Sequence, residues 1–490
     1  MKKRPPSNLE HFDVLIVGAG LSGIDAAYRL QSECPDKHYA ILEARGAIGG
    51  TWDLFRYPGI RSDSDMYTLG FPFRPWRADI SIASGESIRQ YIVDTATEFG
   101  IDKKIRYGHR ITRAAWSSQD ARWTVEGEAG GTAFELTCSF LSLCCGYYDY
   151  DKGFTPDFAG LDDFRGQLVH PQQWPEGQDF GGKKVVVIGS GATAVTLIPS
   201  LARQGAQVTM LQRSPTYIVS MPAKDKIANW MRDRLPNRVA DKLTRWKNVG
   251  MSIFFYQYAQ RKPEVTKQKI LSLLRRQLAP AIDVDTHFSP SYKPWDQRVC
   301  LVPNGDLFKV LRSGQAAIVT DHIERFVAGG IQLRSGQMLD ADVVVTATGL
   351  NIKLMGGMQM LVDEQPVKLA DHLIYKGMML SDVPNMAFAF GYTNASWTLK
   401  CDLTAQYVCR LLKHMDRNGI TQCTPRQLDR ALGSEPMKTL QSGYLLRAQG
   451  LVPRQGSKAP WLVHQNYVMD LALMKYTRVN DGVMEFSKAA

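Results

Sequence analysis

The longest uncharged stretches, residues 185–202 and 383–399, are broken by glycine and proline and carry polar residues, so an integral membrane protein is not expected. The eight cysteines are scattered. Only Cys144 and Cys145 adjoin, and there is no C-x-x-C pair, which argues against a disulfide framework, a structural zinc site and a dithiol redox centre. The nine histidines show no H-E-x-x-H or comparable ligand spacing, and no metal is expected. Acidic residues are in deficit, 48 against 59 Lys and Arg, but no nucleic-acid recognition motif accompanies the excess. The first ten residues are basic and proline-bearing, with no apolar leader after them, so the expected setting is the reducing cytoplasm.

The length allows two or more packed domains. Two segments then declare themselves. "DVLIVGAGLSGIDAAYRL" begins as an apolar strand, turns through Gly18, Gly20 and Gly23, and continues in helix-forming residues; "KHYAILE" follows as a second strand ending on Glu43. In such a unit the first glycine permits the tight turn, and the second lets backbone approach a pyrophosphate. The third packs helix on strand, and the terminal carboxylate accepts a bond from a ribose hydroxyl. The continuation "GAIGGTWDLFRYPG" supplies a second glycine loop with Gly50, Thr51 and Trp52, pointing to FAD held in an extended pose.

The pattern recurs in "KKVVVIGSGATAVTLIPSLARQGAQVTMLQRS", with Gly189, Gly191 and Ala194 in the turn positions. This second unit ends not on a carboxylate but on Arg213 and Ser214. A guanidinium pairs with a 2′-phosphate that a carboxylate would repel, so the second cofactor is expected to be NADPH. "CSFLSLCCGYY" and "DADVVVTATGL" read as buried strands returning beneath the first sheet. The expected fold class is therefore α/β with two Rossmann-like dinucleotide-binding domains. A discontinuous FAD domain (1–150 and 335–490) would hold an inserted NADPH domain (151–221 and 296–334), which itself carries a basic helical insertion (222–295).

Between Lys224 and Arg276 there are fourteen Lys or Arg and four Asp or Glu, with Trp230, Trp246 and "SIFFYQY" among them. A solvated helical insertion explains this, and so does peripheral attachment of residues 224–276 to an anionic membrane or an acidic partner.

One stretch fits neither period: "FRGQLVHPQQWP", just ahead of the second unit. Two dinucleotide folds joined by F-x-G-x-x-x-H-x-x-x-W-P resemble the type I Baeyer–Villiger flavin monooxygenases, whose fingerprint Phe164, Gly166, His170, Trp174 and Pro175 match in full. "GGTWDLFRYPGIRSDSDMYTLG", "DVDTHFSPSYKPWDQRVCLVP" and "GYTNASWTLKCDL" are similar to the branch that includes thioamide-activating and long-chain-alkane monooxygenases. The resemblance implies an NADPH- and O2-dependent enzyme that inserts one oxygen atom into ketones, or oxidises sulfides and thioamides, through a C4a-peroxyflavin. It implies Arg298 as the cation that stabilises charge on oxygen, with Asp63 positioning it, although Asp63 could also be a plain helix cap. In the family a stiff linker here couples the two domains. Many members carry a lysine just before the catalytic arginine; here it is Gln297, which leaves more of the NADPH selectivity to Arg213. The competing readings are a flavin reductase or oxidase passing electrons to a partner or O2, and a non-catalytic flavin-binding protein that docks on membranes.

Overall fold

The computed structural model describes residues 9–429, 432–437, 443–448 and 450–489; most of the basic N-terminal run lies outside them. His11–Val17 is apolar on both faces because it lies inside a parallel arrangement, flanked by Tyr39–Leu42 and Thr132–Leu143. The latter strand continues into an antiparallel meander with Arg122–Ala129 and His109–Ser117. Strands from farther along the chain join this sheet, among them Gln359–Val362 beside His109–Ser117, and Met386–Phe388 beside Thr132–Leu143. Helix Leu21–Glu33 covers one face and shares a core with the long helix Trp397–Asn418 through Ile24, Ala27, Leu403, Tyr407 and Leu411.

The second sheet is wholly parallel, in the order Ala316–Thr320, Gln207–Gln212, Lys184–Ile188, Val343–Thr346, Gln167–Val169. Two expectations change here. Val343–Thr346 belongs to this sheet and not to the first, so the boundary set at residue 335 moves to just after Thr346. An unbroken apolar run fits the centre of any parallel sheet, and its periodicity could not say which. The fingerprint stretch, aperiodic in sequence, contains the edge strand Gln167–Val169, too short to display a period. The chain crosses between the two units through Tyr148–Gly153 and Leu350–Ile352, which pair antiparallel.

The basic segment leaves the second unit after Ile218–Met221 and returns at Cys300–Pro303, which pairs parallel with it. Between them lie helices Lys226–Arg234, Asn237–Arg261, Pro263–Leu278 and Val284–Phe288. Leu271, Leu274 and Leu278 pack into the core of the second unit. The long helix reaches the first, where Arg245 Nη1 donates to the carbonyls of Tyr67 (3.0 Å) and Gly70 (2.9 Å). The insertion thus touches both units, beside the cleft that lies between them.

Candidate active site

That cleft, of about 490 Å³, is floored by the first glycine turn. Gly18 has φ +103°, and a Cβ on it would lie 2.6 Å from the carbonyl oxygen of Cys144; one on Gly23 would lie 1.8 Å from that of Gly18. No other residue fits either position. Gly20 begins helix Leu21–Glu33 and faces Gly50, whose φ is +56°. Two backbone segments without side chains thus border the N-terminus of a helix, which is the cradle a pyrophosphate requires. Glu43 is buried and accepts from the N–H of Ala19 (2.7 Å) and of Arg45 (2.9 Å). Burial nevertheless holds its carboxyl above the usual carboxylate range. Thr51 Oγ1 lies 3.2 Å from the Tyr150 hydroxyl, and Trp52 borders the cleft beside them. The residues present fit FAD.

The second glycine turn faces the same cleft from the other unit, since Ala192, Thr193 and Thr196 of helix Ala192–Arg203 also line it. Gly189 has φ +131°, with the Ala347 carbonyl 2.4 Å from where a Cβ would stand; Gly191 begins the helix and Ala194 is buried beneath it. Arg213 and Ser214 follow strand Gln207–Gln212 and are exposed, Ser214 accepting from Ser190 Oγ at 3.4 Å. An exposed cation beyond the second strand is where a phosphate could meet it from solvent.

Arg298 Nε donates to Asp63 Oδ2 at 2.7 Å, with the side chains 34% and 39% exposed. The cap of the neighbouring short helix Met66–Leu69 is Asp65, not Asp63, so the structural alternative for Asp63 falls away. The ion pair stands in the wall between the cleft and a second chamber of about 850 Å³. That chamber is largely apolar, bordered by Met251, Phe254, Phe255, Ile270 and Leu273 of the helical insertion. A charged pair therefore stands where the cofactor cleft meets an apolar chamber.

The fingerprint residues gather at the crossover. His170 Nδ1 accepts from the Gln172 N–H (3.2 Å), which leaves Nε2 to donate to the Gly349 carbonyl (3.3 Å). A Cβ on Gly153 would lie 1.9 Å from His170, so the ring is wedged against the strand that joins the units. Burial lowers its pKa. Gly166 fits between Phe164 and the Asp342 carbonyl, and the rings of Phe164 and Phe326 meet edge to face at 5.9 Å. Trp174 packs on Phe180 (5.2 Å) and, with Pro175, borders a surface groove that Trp52 also borders. The linker therefore touches the crossover and shares a groove with the cofactor loop.

Several cleft residues escaped sequence reasoning as individuals. Lys353 holds Asp149 (2.7 Å) and Asp151 (2.8 Å) across the crossover. Tyr392, at the cleft, donates to buried Asp470 (2.7 Å), which pairs with buried Lys400 (2.9 Å). These partners are distant in sequence, and no local spacing announces them. Cys144 and Cys145 are both free thiols, and burial pushes Cys145 up to about 12.

Two dinucleotide folds facing one cleft, with a cation at its apolar exit, define a two-cofactor oxidoreductase. Residues 70–281 match the flavin-binding monooxygenase-like family, and residues 16–78 match an NAD(P)-binding Rossmann-like domain. The chain is 52% identical over 480 residues to the FAD-containing monooxygenase EthA of Mycolicibacterium smegmatis, covering 98% of each chain. It is 49% identical over 482 residues to the protein of Acinetobacter baylyi named "Probable FAD-binding monooxygenase AlmA", covering 98% of this chain and 97% of that one. It belongs to the family of FAD-containing monooxygenases. Its fold is that of an oxidised steroid monooxygenase bound to NADP, with a TM-score of 0.77 at 23% identity over 98% of this chain and 100% of the other.

Proposed function

We propose that this FAD-containing monooxygenase is driven by NADPH and inserts one oxygen atom into apolar ketones, or oxidises organosulfur groups, at the ion pair Arg298–Asp63. The observation that carries the reading is the position of that pair, facing the FAD cleft on one side and the apolar chamber on the other. FAD, once reduced, supplies activated oxygen. Gly18, Gly20, Gly23 and Glu43, with Gly50, Thr51 and Trp52, hold it. Gly189, Gly191 and Ala194 receive the second dinucleotide, with Arg213 and Ser214 on its 2′-phosphate.

Arg298 presents a fixed positive charge where negative charge grows on oxygen, and Asp63 holds the guanidinium through Nε so that no reorientation is needed as the charge develops. The chamber walls take the apolar body of the substrate and exclude water, which strengthens the Arg298 interaction. His170, wedged at the crossover, fixes the second unit relative to the first. A reductase that hands electrons to a partner has no use for an apolar chamber at that arginine. The test is oxygenation of a panel of ketones, sulfides and thioamides, with NADPH consumption measured alongside. Oxidation of NADPH without any oxygenated product would favour the oxidase reading.

A second part of the reading concerns location. Among the described residues no helix is long and apolar enough to cross a membrane. Residues 224–276 carry their excess charge together with exposed Trp230, Phe254 and Phe255, a combination suited to peripheral attachment at an anionic surface, where each basic residue contributes about 1 kcal/mol. Co-sedimentation with anionic vesicles at low salt, lost at high salt, is expected.

A further inference from the structure

The chamber and the exposed surface of the helical insertion share side chains. Ile227, Met251, Phe254, Phe255 and Leu273 border the chamber, yet they are 57%, 42%, 61%, 55% and 50% exposed. A side chain that lines a cavity and is also half exposed stands at its mouth. Beside this mouth, Val239, Leu243, Trp246 and Phe254 recur at i, i+4, i+7 and i+15 along helix Asn237–Arg261, which puts them on one stripe, and all four are exposed. A row of large apolar side chains left exposed along one helix face marks a site of contact.

The charges around the mouth indicate with what. Lys224, Lys247 and Arg275 are taken up in ion pairs with Asp79, Asp225 and Asp285. Arg238, Lys242, Arg261, Lys262 and Arg276 are exposed and make no ion pair among the described residues. An anionic surface answers them. An acidic protein seated here would cover Phe254 and Phe255 and stop the mouth, whereas the acyl phase of a lipid surface would continue the apolar chamber outward.

We infer that this mouth opens into an anionic lipid surface, and that apolar substrate passes from the acyl phase directly into the chamber without crossing water. The inference rests on the monooxygenase reading for what happens at Arg298. The route itself is geometric. Substrate dissolved in lipid reaches the inner end already desolvated, and the surface concentrates it at the entrance.

The experiment uses the full-length holoenzyme, vesicles of phosphatidylglycerol in phosphatidylcholine, a long-chain alkanone with a mid-chain diazirine held in those vesicles, and a small water-soluble ketone. At low salt, irradiation should label residues 251–258 in the native protein. Oxygenation of the vesicle-held ketone should follow its mole fraction in the bilayer, not its total concentration. Combined Arg238→Glu, Lys242→Glu and Arg261→Glu should reduce both by at least tenfold and leave turnover of the small ketone unchanged, since none of these residues borders the chamber or the cleft. Labelling confined to other surfaces, or a rate that falls in proportion to the ketone withdrawn into vesicles, would overturn the inference. Failure to bind vesicles would overturn it too and leave an acidic protein as the occupant. If the mouth is labelled but neither ketone is oxygenated, the route stands and the ketone part of the proposed activity falls.

Discussion

Arg298→Ala separates what the arginine does for the fold from what it does for the chemistry. Its ion pair with Asp63 is 2.7 Å long but about one third exposed on each side, so solvent screens it. Such pairs contribute about 0 to 1 kcal/mol to stability. In a chain of this size that amounts to a shift in Tm of no more than about 2 °C. Losing one preorganised donor to a developing oxyanion costs about 2.7 to 4 kcal/mol, or two to three orders of magnitude in rate. The two effects differ enough to be told apart. The variant should purify with FAD, melt almost as the native protein does, and still bleach with NADPH in an anaerobic stopped-flow experiment. In air it should oxidise NADPH, make about a hundredth or less of the product, and release hydrogen peroxide. Arg298→Lys should recover little, because a compact ammonium does not reproduce the planar fork. The reasoning is refuted if Arg298→Ala makes product at near-native yield per NADPH. Failure to bleach would instead assign Arg298 to nicotinamide binding.

Arg213→Ala should raise KM for NADPH by about 10- to 100-fold, as loss of one charge-assisted bond implies, and leave KM for NADH nearly unchanged; equal effects on both would remove Arg213 from phosphate recognition. Gly18→Ala places a Cβ 2.6 Å from the Cys144 carbonyl at a φ of +103°, so the protein should emerge without flavin absorbance or fail to fold, whereas Gly46→Ala, which meets nothing within 4 Å, should keep its yellow colour. His170 has a folded-state pKa depressed by burial, so between that value and the ordinary one the unfolded chain binds more protons, and stability is lost as pH falls through the window below about 6.5. His170→Gln should therefore flatten part of the acid-side fall in Tm, and an unchanged slope would exclude the histidine as its source.

Much of this was legible in the sequence because the chemistry is local. Gly18, Gly20 and Gly23 sit within one turn and Glu43 closes the next strand; Gly18 and Gly23 stand where a Cβ would strike backbone, and Glu43 accepts from the Ala19 N–H of that same turn. Arg298 and Asp63 were legible through motif resemblance alone, since 235 positions separate them and no periodicity links them. What could not be read was assignment among equivalent partners. The run at Val343–Thr346 says parallel and buried, not which of two parallel sheets. The pairing of Lys400 with Asp470 depends on where a distant segment docks. The chamber is likewise invisible in sequence, because its walls come from the insertion and from both units, and only their packing gives it shape.

The central claim is that one atom of molecular oxygen enters the substrate at the expense of NADPH. Turnover under isotopically labelled oxygen gas, with an apolar ketone or thioamide and NADPH counted in the same sample, measures this by mass spectrometry of the product. The account predicts one labelled atom per product molecule and close to one product per NADPH. Product carrying oxygen from water, or NADPH consumed wholly into hydrogen peroxide across the substrate panel, would contradict it.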